Sequence, residues 1–134
     1  MSRFPTREWM AAFQEKVNHD EELALIGRWF TLNILLGAGE DEFVLCLKEG
    51  QLVEVIHGPR FDTPWSFAMR APREHWENFI KPMPPPLFNE IWAMVMRVPE
   101  FKLEGNTLAA AQNIRALQRF MSLMRTVDEK PVDG

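Results

Sequence analysis

Tyrosine is missing from this chain and cysteine occurs once, in 134 residues. A single thiol excludes an internal disulfide framework and fits a reducing compartment. An excess of basic charge is missing as well. Fifteen Lys and Arg stand against nineteen Asp and Glu, a net charge of −4, which gives no electrostatic reason to hold a polyanion and argues against nucleic acid as a partner. No stretch approaches the roughly 20 apolar residues of a membrane span, so stable membrane insertion is not expected. The first nine residues, MSRFPTREW, lack the apolar run of a signal peptide, and a cytoplasmic protein is the expectation.

The constellations that carry common chemistries are absent too. His19, His57 and His75 lack zinc-like spacing among themselves or with Cys46, so no metal is expected. Ser66 and Ser122 lie in no Gly-x-Ser-x-Gly elbow, and no glycine-rich phosphate loop is present. Cys46 sits mid-strand, where a small filler is the ordinary role. His75, Glu74 and Glu77 read as the solvated polar face of a short helix. No catalytic residue and no cofactor is assigned. Glu90 and Glu104 are the carboxylates that would become acids or bases if a greasy pocket raised their pKa, although both fall at apparently outward positions.

What is present is an ordinary globular share of apolar residues, 46%, with an unusual mixture inside it: eight Met, ten Phe and five Trp. Flexible thioethers and flat rings can reshape around an irregular guest, and they also fill ordinary cores. The length suits one domain over residues 1–134, with about 126–134 as a flexible tail. Thr6 can cap a first helix in which Trp9, Met10, Phe13 and Val17 share a face. Asp20 can cap a second, short helix that Gly27 closes.

From Arg28 the apolar period changes to two, beginning with Phe30. Strands are expected through Leu36, from Phe43 to Leu47, from Leu52 to His57 and from Trp65 to Met69, with Glu49-Gly50 as a hairpin turn. Pro72 can open a helix through Ile80. The prolines of Lys81 to Pro86 cannot occupy a helix interior. Leu87 to Arg97 then reads as helix again.

The stretch from Phe101 to Arg125 organises the rest. Phe101 and Leu103 alternate with Lys102 and Glu104 as in a half-buried strand, and Gly105 ends it. Asn106 is placed to cap a long helix whose apolar stripe is Ala110, Ile114, Leu117, Met121 and Met124. This run, Phe101-Lys102-Leu103-Glu104-Gly105-Asn106 followed by Leu108-Ala109-Ala110-Ala111, resembles the C-terminal signature of the sterol carrier protein type 2 family. The order of the earlier elements resembles that family too.

Helices segregated from a largely antiparallel sheet define an α+β layer architecture. The resemblance implies a mixed, mainly antiparallel five-stranded sheet covered by helices on one face, and the fifth strand, arriving after a helical excursion, is expected parallel to a neighbour. It further implies a hydrophobic cavity between sheet and helices that holds acyl chains, sterols or isoprenoid-like lipids. The side chains expected to line it are Trp65, Phe67 and Met69; Phe88, Trp92 and Met96; Phe101 and Leu103; and Leu117, Met121 and Met124. Asn113 projects close to the last stripe and could meet a ligand oxygen or a neighbouring backbone group. Asn33 and His57 offer similar alternatives.

Three functions follow from this reading. The first is a carrier that binds and transfers a hydrophobic small molecule without changing it. The second is an enzyme or accessory subunit acting on a hydrophobic or CoA-linked substrate in the same cavity. The third is an interaction module, forming a homodimer or serving a partner enzyme, with Trp76 and Phe79 as a stripe that could support a dimer.

Overall fold

The computed structural model describes residues 4–127. Two capped helices open the chain. In α1 (Arg7–Asn18) the Thr6 hydroxyl accepts from the Trp9 amide at 3.1 Å, and Trp9, Met10, Phe13 and Val17 are its buried face. In α2 (Glu21–Ile26) the Asp20 carboxylate accepts from the Leu23 amide at 2.8 Å. Each cap satisfies an amide that the first helical turn leaves without an acceptor.

The strands β1 (Leu32–Ala38), β2 (Asp41–Lys48), β3 (Gln51–His57), β4 (Phe67–Ala71) and β5 (Lys102–Gly105) form one sheet in the order β3-β2-β1-β4-β5. Glu49 and Gly50 both take positive φ, 51° and 79°, as the turn between β2 and β3, which is the twist a two-residue hairpin requires. One pairing differs from expectation. The parallel pair is β1 with β4, Ile34 facing Phe67, whereas β5 runs antiparallel to β4 with Leu103 opposite Met69. The crossover that makes a parallel neighbour therefore lies between β3 and β4, across the Gly58–Pro64 loop, and not ahead of β5.

Alternation sorts the strand side chains between two faces. Ile34, Leu36, Phe43, Leu45, Leu52, Phe67 and Met69 belong to the main core with the helices, while Leu35, Val44 and Ala68 form a small second cluster on the other face. That outer face is rimmed by Arg70, which pairs with Glu42 and, at 2.8 Å, with Glu104. The edge of β3 is closed by amides of α1: Gln14 and Asn18 donate to the Leu52 carbonyl at 2.8 and 3.1 Å, and Asn18 accepts from the Leu52 amide at 2.8 Å. At Leu52 the groups that would otherwise invite another strand are thereby taken.

The helical layer is completed by α3 (Arg73–Phe79), α4 (Ile91–Arg97), α5 (Thr107–Gln112) and α6 (Ile114–Ser122), followed by a 3-10 turn (Leu123–Thr126). Two of these differ from the sequence reading. Leu87 to Glu90 is not helical: Leu87 has φ 78° and Glu90 is extended, so α4 begins only at Ile91. The long C-terminal helix is broken at Asn113, whose side-chain amide donates to the Ala109 carbonyl at 2.8 Å. A short polar side chain that bonds to its own backbone competes with helix continuation. Of the tail expected over about 126–134, Thr126 closes the 3-10 turn and Val127 packs against the core, while 128–134 fall outside the described residues.

Candidate functional site: the layer between sheet and helices

The inner face of the sheet offers Phe67 and Met69 from β4 and, half-buried, Leu103 from β5. From the helical side Leu117 and Met121 of α6, with Met124 one turn on, belong to the same cluster, and positions 117, 121 and 124 fall on one helical stripe. Phe101, just before β5, packs its ring 5.3 Å from Trp76 of α3. These side chains share one hydrophobic cluster with Phe88, which is half-buried. The structure thus brings together Phe67, Met69, Phe88, Phe101, Leu103, Leu117, Met121 and Met124.

Three residues assigned to the same layer from sequence lie elsewhere, and a fourth, Asn113, is engaged by its own backbone. Trp65 precedes a bend at Ser66 and packs against the second cluster, on the opposite face of the sheet from Phe67. Met96 is 76% exposed. Because α4 starts at Ile91, its buried face runs through Ile91, Met94 and, just beyond the helix, Val98; Trp92 is half-buried outside the main cluster. Asn113 spends its amide on the Ala109 carbonyl, the backbone alternative of the two the sequence offered. Asn33 likewise donates to a backbone oxygen, that of Pro64, at 3.3 Å.

At four positions of the layer the packing is closed. Phe67, Met69, Leu117 and Met121 are all 0% exposed, and no polar or charged side chain is buried among the described residues. A guest here would have to move methionine and phenylalanine side chains aside. Methionine, unbranched and with three rotatable bonds, is the residue best able to do so. The residues missed from sequence, Met94 and Phe120, are buried in the same cluster. Phe120 was legible only as a neighbour of the stripe, and Met94 was hidden by the wrong helix start.

The titratable groups lie around this layer, not in it. His57 ends β3 with its ring 5.4 Å from that of Phe43. Burial, and then the charge of Arg7, hold its imidazole below its ordinary pKa. His75 is not on a solvated face: its side chain is 15% exposed and its Nε2 lies 2.9 Å from the Glu100 carboxylate. Burial and the nearby Glu54 raise the pKa of the Cys46 thiol, which disfavours the nucleophilic thiolate. Glu104 is paired with Arg70 on the outer face, and Glu90 is an exposed residue at the start of α4. Among the described residues no group of three or more His, Cys, Asp or Glu is placed to hold a metal ion, and no helix is long and apolar enough to cross a membrane.

On the far side of the helical layer, Glu22, Ile26, Arg115, Gln118, Arg119 and Ser122 line an open surface groove of about 360 Å³. Two of its polar side chains are engaged by neighbouring elements. Arg119 clasps Asp20 at 2.9 and 2.5 Å, and Gln118 accepts from the Ile91 amide at 2.8 Å. The stripe considered for a homodimer is also spent, since Trp76 is 1% and Phe79 0% exposed in the chain's own core.

A five-stranded mixed sheet with helices packed on one face defines an α+β domain built around a single apolar layer. Its fold is that of sterol carrier protein 2. The crystal structure of a sterol carrier protein 2 superposes with a TM-score of 0.76 at 18% identity, covering 92% of this chain and 98% of that one. A solution structure from Thermus thermophilus, of a conserved hypothetical protein and candidate sterol carrier protein, gives 0.73 at 19% identity over 100% and 95% of the two chains. The SCP2 domain of UbiJ, a ubiquinone synthesis protein, gives 0.57 at 12% identity over 98% and 100%. No protein-family model matches the sequence, and no curated protein does.

Proposed function

We infer that this chain binds a hydrophobic small molecule of acyl, sterol or isoprenoid type between its sheet and its helices, and passes it on unchanged. The observation that carries this reading is the likeness of fold, end to end, to a protein named for carrying sterols. The chemistry of the layer supports it. Met69, Met121 and Met124 come from both sides of the same cluster, among aromatic rings, and apolar sites are lined by such side chains. Each methylene transferred from water contributes about 0.8 kcal/mol, so an eight-carbon tail supplies roughly 6 kcal/mol before association costs are subtracted. Affinity of this kind follows length and shape more than identity.

Native mass spectrometry of freshly purified protein, with displacement of a fluorescent lipid, tests the reading. A bound mass of a few hundred daltons and saturable displacement are expected. Bare protein with no displacement would remove the carrier function.

A second reading, an accessory subunit that presents a hydrophobic substrate to an enzyme, draws on the end-to-end likeness to the UbiJ domain. Lipid seen only in a co-purifying complex would favour it over a free carrier. An enzyme in its own right has less to stand on, because Glu90 and Glu104 both lie outside the layer.

A further inference from the structure

Two wholly buried tryptophans meet the same requirement in different ways. An indole N–H can only donate, and a buried donor calls for an acceptor. Trp76, 1% exposed, donates to the Gly37 carbonyl at 2.9 Å. Trp9, 0% exposed, has no acceptor for its Nε1 among the described residues. The other buried nitrogens without partners are Nδ1 of His57 and of His75. An imidazole can leave that nitrogen unprotonated by choice of tautomer, so neither is an obligate donor. Among the described residues Trp9 therefore stands apart as a buried group that must donate and has no acceptor.

Its place in the core gives that gap a meaning. The Trp9 ring stacks on Phe13 with centroids 5.4 Å apart, Phe13 lies 5.2 Å from Phe120 of α6, and Phe4 meets Trp9 edge to face at 4.8 Å. All belong to the cluster that contains Phe67, Met69, Leu117 and Met121. A phenylalanine at this position would fill an aromatic site without carrying an unmet donor.

Building on the binding reading above, we propose that the Trp9 indole N–H is the polar anchor of the bound guest, donating to an oxygen of an otherwise apolar molecule. The guest it fits is neutral. No charged side chain is wholly buried among the described residues, and the half-buried Arg125, over the Phe79 ring, spends its guanidinium on the carbonyls of Phe79, Phe88 and Asn89, so a carboxylate would enter at a heavy desolvation cost. A ketone, ester or alcohol brings an acceptor and no charge.

The experiment compares the wild type with Trp9→Phe, using a long-chain methyl ketone, the alkane of equal length and the fatty acid of equal length, each displacing a neutral fluorescent lipid. It is read together with the indole ¹H–¹⁵N spectrum of the ¹⁵N-labelled wild type, in which the resonance missing from the variant identifies Trp9. The ketone is expected to bind the wild type about tenfold more tightly than the variant, as the loss of one hydrogen bond implies, while the alkane binds both alike. The Trp9 N–H resonance moves downfield with the ketone and not with the alkane. An unchanged or raised urea midpoint for the variant separates lost affinity from lost folding, and once the variant has assigned the Trp9 resonance, its shift in the wild type reads the anchor in the unaltered protein.

Ligands that bind equally to both proteins and leave the Trp9 resonance in place would overturn the anchor while the carrier reading stands. Failure of all three to bind the wild type would overturn the carrier reading and the anchor with it. A fatty acid that binds more tightly than the ketone would overturn the neutral class of guest.

Discussion

Asp20 does two tasks with one carboxylate. It caps α2 through the Leu23 amide and receives two hydrogen bonds from the Arg119 guanidinium, joining α2 to α6 across 99 positions of sequence. The Arg119 bonds, more than the Leu23 amide, hold its pKa below the ordinary 3.8 against the opposing effect of burial. A carboxyl whose folded pKa is depressed contributes fully above its unfolded value, near 4, and loses that contribution as pH falls through the folded one. His57 acts in the same direction at higher pH, since its folded pKa lies below 6.5 and its contribution fades as pH falls from there. Asp20→Ala removes the cap and strands a guanidinium, a loss of about 2–3 kcal/mol at neutral pH. Asp20→Asn keeps a capping oxygen and discards the charge. Urea unfolding at pH 7 and pH 3 should show that the Asn variant loses less stability on acidification than the wild type. Equal acid sensitivity would mean that Asp20 is not what links the two helices.

At the scale of elements, the joint between β5 and α5 depends on Gly105. Its φ is 87°, and a Cβ there would lie 2.8 Å from Trp65 Cζ3 and 2.9 Å from the Ser66 carbonyl oxygen. Gly105→Ala therefore combines a left-handed backbone with an overlap against main chain, and a cost of about 2 kcal/mol or more is expected in the unfolding midpoint. A variant as stable as the wild type would show that the joint relaxes freely. Asn106, next in line, caps α5 through the Ala109 amide at 3.0 Å, so Glu-Gly-Asn was legible as a unit whose parts each have a local reason. The caps at Thr6 and Asp20 and the four strands between Leu32 and Ala71 were legible for the same reason: periodicity and side-chain chemistry act over a few residues. What escaped was decided elsewhere in the chain. Nothing in the alternation of β4 says that its parallel neighbour is β1. The phase of Trp65 followed that of Phe67 until the bend at Ser66 turned it to the other face. Leu87 to Glu90 has the composition of a helix, yet the chain enters α4 extended at Glu90, which rotates Met96 outward and Met94 inward.

Taken whole, the molecule sets a requirement on any guest, because Phe67, Met69, Leu117 and Met121 of the layer that would receive it are wholly buried by the chain's own side chains. Met121 is the sharpest probe of that requirement, being 0% exposed on the buried stripe of α6. Truncation to Ala removes a large buried side chain and should cost about 2–4 kcal/mol by transfer and cavity terms together. If Met121 only packs, nothing added to the solution restores that loss. If it occupies space a guest would take, Met121→Ala gives a hydrophobic ligand room without the work of moving a thioether, and the ligand binds the variant more tightly than the wild type. Binding to the folded state alone adds RT ln(1 + [L]/Kd) to stability, about 2.7 kcal/mol at a hundred times Kd. At one fixed ligand concentration the variant should then regain more stability than the wild type gains, narrowing the gap between their urea midpoints. The comparison needs no knowledge of the natural ligand, since a neutral alkyl ketone serves. A gap that stays constant with and without ligand would place the guest, if one binds, away from Met121 and the buried side of α6.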